Sequence, residues 1–388
     1  MNTNSIISIL TLRYDFTLTP VLPKLSWKDF FKKQNITHIE IKNLISRNLK
    51  DQIPDDYDGP ISISLSGGID STLALCILKD NFPNNQIDAI SIKFSNSVDE
   101  TEIASKIAKE IGVEHHIFEI ENFLDILPEA ISIVKRPFWD IHWLYVVKNA
   151  KKFSKYLISG DGGDELFGGY TFRYKKYLSQ ISHKSGLHDK ISLYLACHER
   201  DHVPEQEQIF SKKVNFDWNL IYEKLRPFFD NPLSLLDQVM LADYNGKLLY
   251  NFSIINSFFA KNYNLKLITP LLSDQLITKT AQIPINKKFD LKENKGKILL
   301  RKILSDYNFE KLISNEKLGF SVNTKTLWKN NGFNMTNRYL TDSLLAQDGW
   351  INKNWIKSNL NSKELDVRHI NKLLGILALE IWYRNRQP

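Results

Sequence analysis

The chain has 388 residues, 43% of them hydrophobic and 24% charged; that length calls for one large or two fused units, and that composition excludes a disordered or fibrous protein. A formal charge of +7 suits an anionic partner, nucleic acid or nucleotide phosphate alike, but Lys and Arg are spread along the chain without a dense tract and read as a solvated basic surface with no nucleic acid expected. Two cysteines, Cys76 and Cys197, exclude a disulfide framework and a Cys-rich zinc site, and the lack of a secretion signal or long apolar stretch makes a cytoplasmic protein without a membrane segment the expectation.

Residues 1–40 contain one apolar stretch, Ile6 to Leu12, then Pro20, Pro23 and polar residues; they are read as a strand or arm of uncertain packing. Ile39, Ile41, Leu44, Ile45 and Leu49 have helical spacing, and the turn-rich stretch from Pro54 to Pro60 ends that helix. Ile61 to Leu65 is a β-branched run followed at once by Ser66-Gly67-Gly68-Ile69-Asp70-Ser71-Thr72 and an apolar helix to about Asp80, which is strand, glycine turn, helix. Cys76 lies inside that apolar helix and reads as core.

A second strand is predicted from Ile87 to Phe94. Ser97-Val98-Asp99-Glu100 has the form of a capping box before a helix that carries Ile103, Ile107, Ala108 and Ile111 on one face and stops at Gly112. A third strand is expected around Ile117 to Ile120, a helix from about Ile141 to Ser154, and a strand from Tyr156 to Ser159. Strands alternating with helices over about 110 residues predict an α/β fold with a doubly wound parallel sheet, a nucleotide-binding core at about 41–180. Beyond Tyr170 the periodicity is mostly helical, with no further run of strands expected, so 181–388 reads as a mainly helical part.

In the first motif two glycines let the backbone pass close to a polyanion, while hydroxyls and helix N-terminal N–H groups supply donors. Asp70 inside that turn would repel phosphate unless a cation bridges them, so its sensible role is Mg²⁺ ligation. A Walker loop would need a lysine that does not occur here, and γ-phosphoryl transfer is not the first expectation. An ordinary strand-to-helix glycine turn is the bland alternative. The second motif, Ser159-Gly160-Asp161-Gly162-Gly163-Asp164-Glu165-Leu166-Phe167-Gly168-Gly169-Tyr170, packs three acids and five glycines at the carboxyl end of a predicted strand, where open α/β sheets bind ligands. Neighbouring carboxylates repel unless a metal or positive groups offset them.

Ser-Gly-Gly-x-Asp-Ser resembles the pyrophosphate loop of enzymes that cleave ATP between the α and β phosphates, and the second motif closely resembles the second signature of asparagine synthetases. The resemblance extends from about residue 40 to the tail helix around Trp382, through Lys297-Ile298-Leu299-Leu300-Arg301 and Glu316-Lys317-Leu318-Gly319-Phe320. It implies ATP and Mg²⁺ as cofactors, Asp70 and Asp164 as metal ligands, and Ser66, Gly67, Gly68, Ser71 and Ser159 around the phosphates. Leu65, Ile92 and Gly160 would meet the adenosine part, largely through backbone. Asp161 stands where the family has its catalytic acid, often Glu, and Lys317 maps to the lysine that stabilises charge during adenylation and amide formation. His115 and His116 are given packing or hydrogen-bonding roles only.

The expected reaction is adenylation of a small-molecule carboxylate with release of pyrophosphate, then transfer of the acyl group to ammonia or an amine, which makes the chain a C–N ligase. Two departures qualify the match. Asparagine synthetases open with a nucleophilic Cys and a glutamine-hydrolysing domain, whereas this chain has Asn2; nitrogen is then expected from ammonia, from an amine-bearing substrate or from a separate subunit. In the stretch from Leu265 to Asp274, Lys266 and Ile268 occupy the family's Glu and Arg positions, and an aspartate substrate is not the expectation. The rival readings are an RNA-modifying or sulfur-inserting ATP-pyrophosphatase, which has no reason to carry the second motif, and an inactive nucleotide-binding subunit, against which both retained acids argue.

Overall fold

The computed structural model describes residues 2–95, 99–313 and 323–387. The β-branched run forms β1 (Ile61–Ser64), and the three further βα-type segments give β2 (Ile87–Phe94), β3 (Glu114–Ile120) and β4 (Tyr156–Ile158). All are parallel, joined by α3 (Ile69–Asn81) and α4 (Thr101–Ile111), then by α5 (Leu127–Val134) and α6 (His142–Ala150). β1 and β2 are buried along nearly their whole length, as strands covered by helices on both faces must be. α3 is so deeply covered that Ser71 to Leu78 are all buried, which explains its continuous apolar sequence. The capping box at Ser97 to Glu100 lies partly outside the described residues; Glu100 stands at the N-cap position of α4 without a side-chain capping bond, and Thr101 N donates to Asp99 Oδ1 over 2.9 Å.

Two sequence expectations are corrected. Ile6 to Leu12 is neither strand nor loose arm: it belongs to a helix, α1 (Thr3–Leu12), capped by Asn2 and buried without interruption from Ile6 to Leu12. A helix covered on every side shows no 3.6-residue alternation, so its run of β-branched residues could not be distinguished from a strand. A further short helix, α2 (His38–Lys50), follows a Thr37–Glu40 capping box. The second correction lies beyond Tyr170, where Lys266–Ile268 forms β5, a fifth parallel strand beside β4. Its three residues open on a lysine and lead into no glycine-rich motif of the kind that marks the equally short β4, and so carry too little pattern to read.

The sheet order is β3-β2-β1-β4-β5. Chain order runs outward in one direction from β1 through β2 and β3, then returns to the other side of β1 with β4. The crevice between the carboxyl ends of β1 and β4 is therefore the topological switch point, where doubly wound sheets hold ligands. The chain after β4 enters α7 (Gly163–Phe167). Later elements that bear on this crevice are α8 (Ser253–Asn262), a hairpin of β6 (Phe289–Asp290) and β7 (Lys295–Gly296), α9 (Ile298–Asp306) and the long α10 (Val367–Arg384). No helix among the described residues is long and apolar enough to cross a membrane.

Candidate active site

Both sequence motifs open at the switch point, one after β1 and one after β4. In the first, Gly67 takes a left-handed turn (φ 73°) and Gly68 starts α3 with no side chain capping it. Thr37, Ser234 and Asp366 cap other helices of the chain, so the first N–H groups of α3 face the crevice without such a cap, as an anion site requires. The loop hydroxyls hold one another: Ser66 Oγ lies 3.1 Å from Ser71 Oγ, Ser66 N donates to Ser71 Oγ over 3.2 Å, and Gly68 N donates to Ser66 Oγ over 3.3 Å.

The second motif folds onto the first. A methyl at Gly160 would lie 2.7 Å from Ser71 N, and one at Gly163 would lie 2.2 Å from Asp70 Oδ1, closer than any side chain can sit. Glycine at these places lets α7 approach α3 and sets Asp164 beside Asp70. One ammonium joins the two acids: Lys297 Nζ is 2.5 Å from Asp70 Oδ2 and 2.7 Å from Asp164 Oδ1. Burial alone would lower the Lys297 pKa, but the two carboxylates hold it above its ordinary value.

The β6–β7 hairpin places that lysine. Lys297 follows β7 in a left-handed conformation (φ 59°) and its N–H donates to Phe167 O over 3.0 Å. A methyl at Gly169 would lie 2.4 Å from Lys297 Cε and 1.8 Å from Asp164 Oδ1, so this glycine is a matter of space around the ion pair. Lys297 was quoted in a family-like element without a role; its partner Asp70 stands 227 positions away in sequence, and nothing local marks the meeting.

Asp161 sits on the opposite wall. Asn256 on α8 donates to Asp161 Oδ2 over 2.9 Å, and Asp161 N donates to Ser159 Oγ over 3.2 Å. Burial raises the Asp161 pKa against the lowering effect of Ser159, His142 and Asn256, and nearby Asp164 adds to the rise. Burial keeps the His142 imidazole below its usual pKa. Neither His142 nor Asn256 carries a sequence signature, and both were missed.

The remaining sites are placed as follows. Leu65 is buried, donates through its N–H to Ile90 O over 2.9 Å, and accepts from Ser91 Oγ over 2.6 Å. Its main chain is thus engaged within the fold. β1 ends at Ser64 opposite Ile90, so β2 continues beyond it and Ile92, which is buried, stands past the end of β1 at the carboxyl edge of the sheet. Ser159 is buried and donates through N to Ile268 O over 3.0 Å. Lys317 lies outside the described residues. His115 Nε2 bonds Ser91 Oγ at 2.7 Å and His116 Nε2 bonds Asp88 Oδ1 at 2.8 Å. Lys266 starts β5, at the strand end away from the crevice, and its ammonium binds Gln52 O.

Among the described residues no group of three or more His, Cys, Asp or Glu side chains could hold a metal. Two convergent carboxylates fit Mg²⁺ only as it is held on nucleotides, with phosphate and water oxygens completing the shell.

Comparison with known proteins gives the family. The family model described as asparagine synthase matches residues 40–384. Glutamine-hydrolysing asparagine synthetase 1 of Bacillus subtilis (strain 168) is 25% identical over 410 residues, which cover 95% of this chain and 63% of that protein. A putative glutamine-hydrolysing asparagine synthetase of Mycobacterium bovis is 30% identical over 142 residues, 35% of this chain and 22% of that protein. The chain spans less than two thirds of the length of either relative. Family match, parallel sheet and paired motifs agree, and the chain belongs to the asparagine synthase family.

Proposed function

We propose that this chain is an ATP-dependent amide-forming ligase that adenylates a small-molecule carboxylate, releases pyrophosphate and passes the acyl group to ammonia or an amine. The observation that carries this reading is the convergence of Asp70 and Asp164 on Lys297 Nζ, from the first turns of α3 and α7, beside the uncapped start of α3. Mg²⁺ bound by Asp70 and Asp164 would supply charge neutralisation for the leaving pyrophosphate.

The chain's own groups do the rest. Ser66, Gly67, Gly68 and Ser71 cradle the polyphosphate with hydroxyls and N–H groups, Lys297 turns from the acids to the phosphates, and the carboxyl edge of the sheet around Leu65, Ile92 and Gly160 takes the adenosine part. The substrate carboxylate attacks the α-phosphorus in the crevice, which is positioning plus electrostatics. Asp161, fixed by Asn256, accepts the proton from the attacking amine. Lys317 is assigned the developing oxyanion by its place in the family-like element.

The deciding experiment supplies ATP labelled in the α and γ positions, with carboxylates screened against amines and ammonium. AMP and pyrophosphate formed in equal amounts are expected. ADP and phosphate in those amounts would overturn adenylation.

A further inference from the structure

Against α8, the helix that carries Asn256, lies a cleft of about 480 Å³, within the range that holds a small organic ligand. One wall is α1, with Ile6 and Ile9; another is α8, with Ile254, Ile255 and Phe258; the segment Arg136 to Asp140 closes it. The α1 wall lies outside the 40–384 stretch matched by the family model, and the other two walls lie within it.

The polar groups of the cleft are not all satisfied by the protein. Arg136 makes no ion pair among the described residues, its Nη1 is buried without a hydrogen-bond partner, and its guanidinium stands 6.0 Å from the centre of the Phe258 ring. Trp139 is 6% exposed, and its Nε1 also lacks an acceptor, as does Arg13 Nε. Among the other charges on the walls, Arg13 pairs with Asp140, Asp15 accepts from Ser5 and Thr17, and Arg386 stands 4.4 Å from the centre of the Trp382 ring, while Lys135 adds a further cation at the rim. Buried donors without acceptors are costly, and an unpaired guanidinium beside an apolar wall asks for an oxyanion.

The cleft is tied to the candidate active site. Asn256, which holds Asp161, sits on α8 between the wall residues Ile255 and Phe258. His142, two residues after the wall residue Asp140, is electrostatically coupled to both Asp140 and Asp161.

The geometry points to this cleft as the seat of one of the two substrates: an amino-acid- to dipeptide-sized organic acid whose apolar or aromatic body lies against α1 and α8, and whose own carboxylate, not the one activated, pairs with Arg136. The link to catalysis rests on the ligase reading above; the binding does not. N-acetylphenylalanine is the probe, with N-acetylphenylalaninamide, which lacks the charge, and N-acetylglycine, which lacks the apolar body. Calorimetry on the whole chain, without ATP, should show saturable binding of the first, about ten-fold weaker for either control and about ten-fold weaker in Arg136→Gln, the loss expected for one charged hydrogen bond. Arg136→Lys should recover part of it. Binding of a fluorescent ATP analogue, unchanged in both variants, verifies the fold. Equal affinity for the amide, an unaffected Arg136→Gln variant, or no saturable binding overturns the site. Arg136-dependent binding together with no pyrophosphate release from any carboxylate and amine pairing would remove the ligase reading and leave the cleft standing.

Discussion

Three carboxylates in one motif meet three different fates, and their surroundings account for it. Glu165 is buried and bonded by the Tyr170 hydroxyl, Asp164 shares Lys297 with Asp70, and Asp161 is lifted by burial and steadied by Asn256. Asp70→Asn and Asp164→Asn should each lower turnover by about 10²–10³, the cost of losing one preorganised charge at a reacting centre, with the circular dichroism spectrum unchanged. Turnover within a factor of about two of the parent, at matched Mg²⁺, would take that residue out of the metal site. Asp161 works as a base only when ionised, so its raised pKa puts the acidic limb of the pH–rate profile above the usual carboxylate range. Asn256→Ala removes a bond that favours the ionised form, and the limb should move to higher pH while the plateau rate is largely kept. A limb that stays in place or moves to lower pH would exclude Asp161 as the titrating group. The acids themselves were legible, because glycine and carboxylate in alternation after a strand have few other uses. Lys297, His142 and Asn256 were not, because each reaches the site by tertiary packing alone.

At the scale of elements, β1, α3 and β2 were readable because a buried parallel strand and the helix after it carry long apolar runs broken by glycine, and β4, only three residues long, was marked by the glycine- and acid-rich motif that follows it. α1, buried on every face, has no such turn before it, and β5, as short as β4, opens on a lysine with no such motif after it. The hairpin before Lys297 was also unread, although it aims the lysine that joins both motifs. Its docking gives a test of the interlock. Gly169→Ala sets a methyl against Asp164 Oδ1 and Lys297 Cε, at a backbone conformation that does not itself forbid alanine. The expected cost is about 1–3 kcal/mol of stability, as for overpacking elsewhere, together with weakened ATP binding as the ion pair is pushed apart. Gly186→Ala, whose methyl would meet only Asp189 Oδ2 at 3.4 Å, is the control and should change neither. ATP affinity and melting temperature in Gly169→Ala that match the control would show that the close approach is not needed.

Over the whole molecule, one cluster of buried apolar side chains runs from Ile6 through the sheet to Leu379, so helices from both ends of the chain share a core with the nucleotide-binding strands. Besides Lys297, two lysines are buried within this body, Lys288 and Lys372, and burial depresses each pKa to about 7. Lys372 is engaged: its ammonium donates to Leu10 O and to Asp201 O, pinning α1 to α10. Lys288 faces the Phe30 ring at 5.6 Å, near an Asp237 that Lys33 already neutralises at 3.0 Å, and so adds an excess charge. A lysine with a depressed folded pKa binds fewer protons folded than unfolded between about 7 and its ordinary value of 10.5, so stability should rise with pH across that window. Below about 7 the full cost of the buried ammonium remains; above 10.5 it vanishes. Lys288→Met should therefore stabilise the protein at neutral pH by about 1–3 kcal/mol, in line with apolar replacement of buried charge, with a gain that fades as pH approaches the ordinary lysine range. Lys372→Met should instead destabilise at neutral pH, because two carbonyls of buried segments lose their donor. Urea titrations of both variants at neutral and alkaline pH measure this, and a Lys288→Met variant less stable than the parent at neutral pH would mean that its ammonium has a partner whose attraction exceeds the cost of burial.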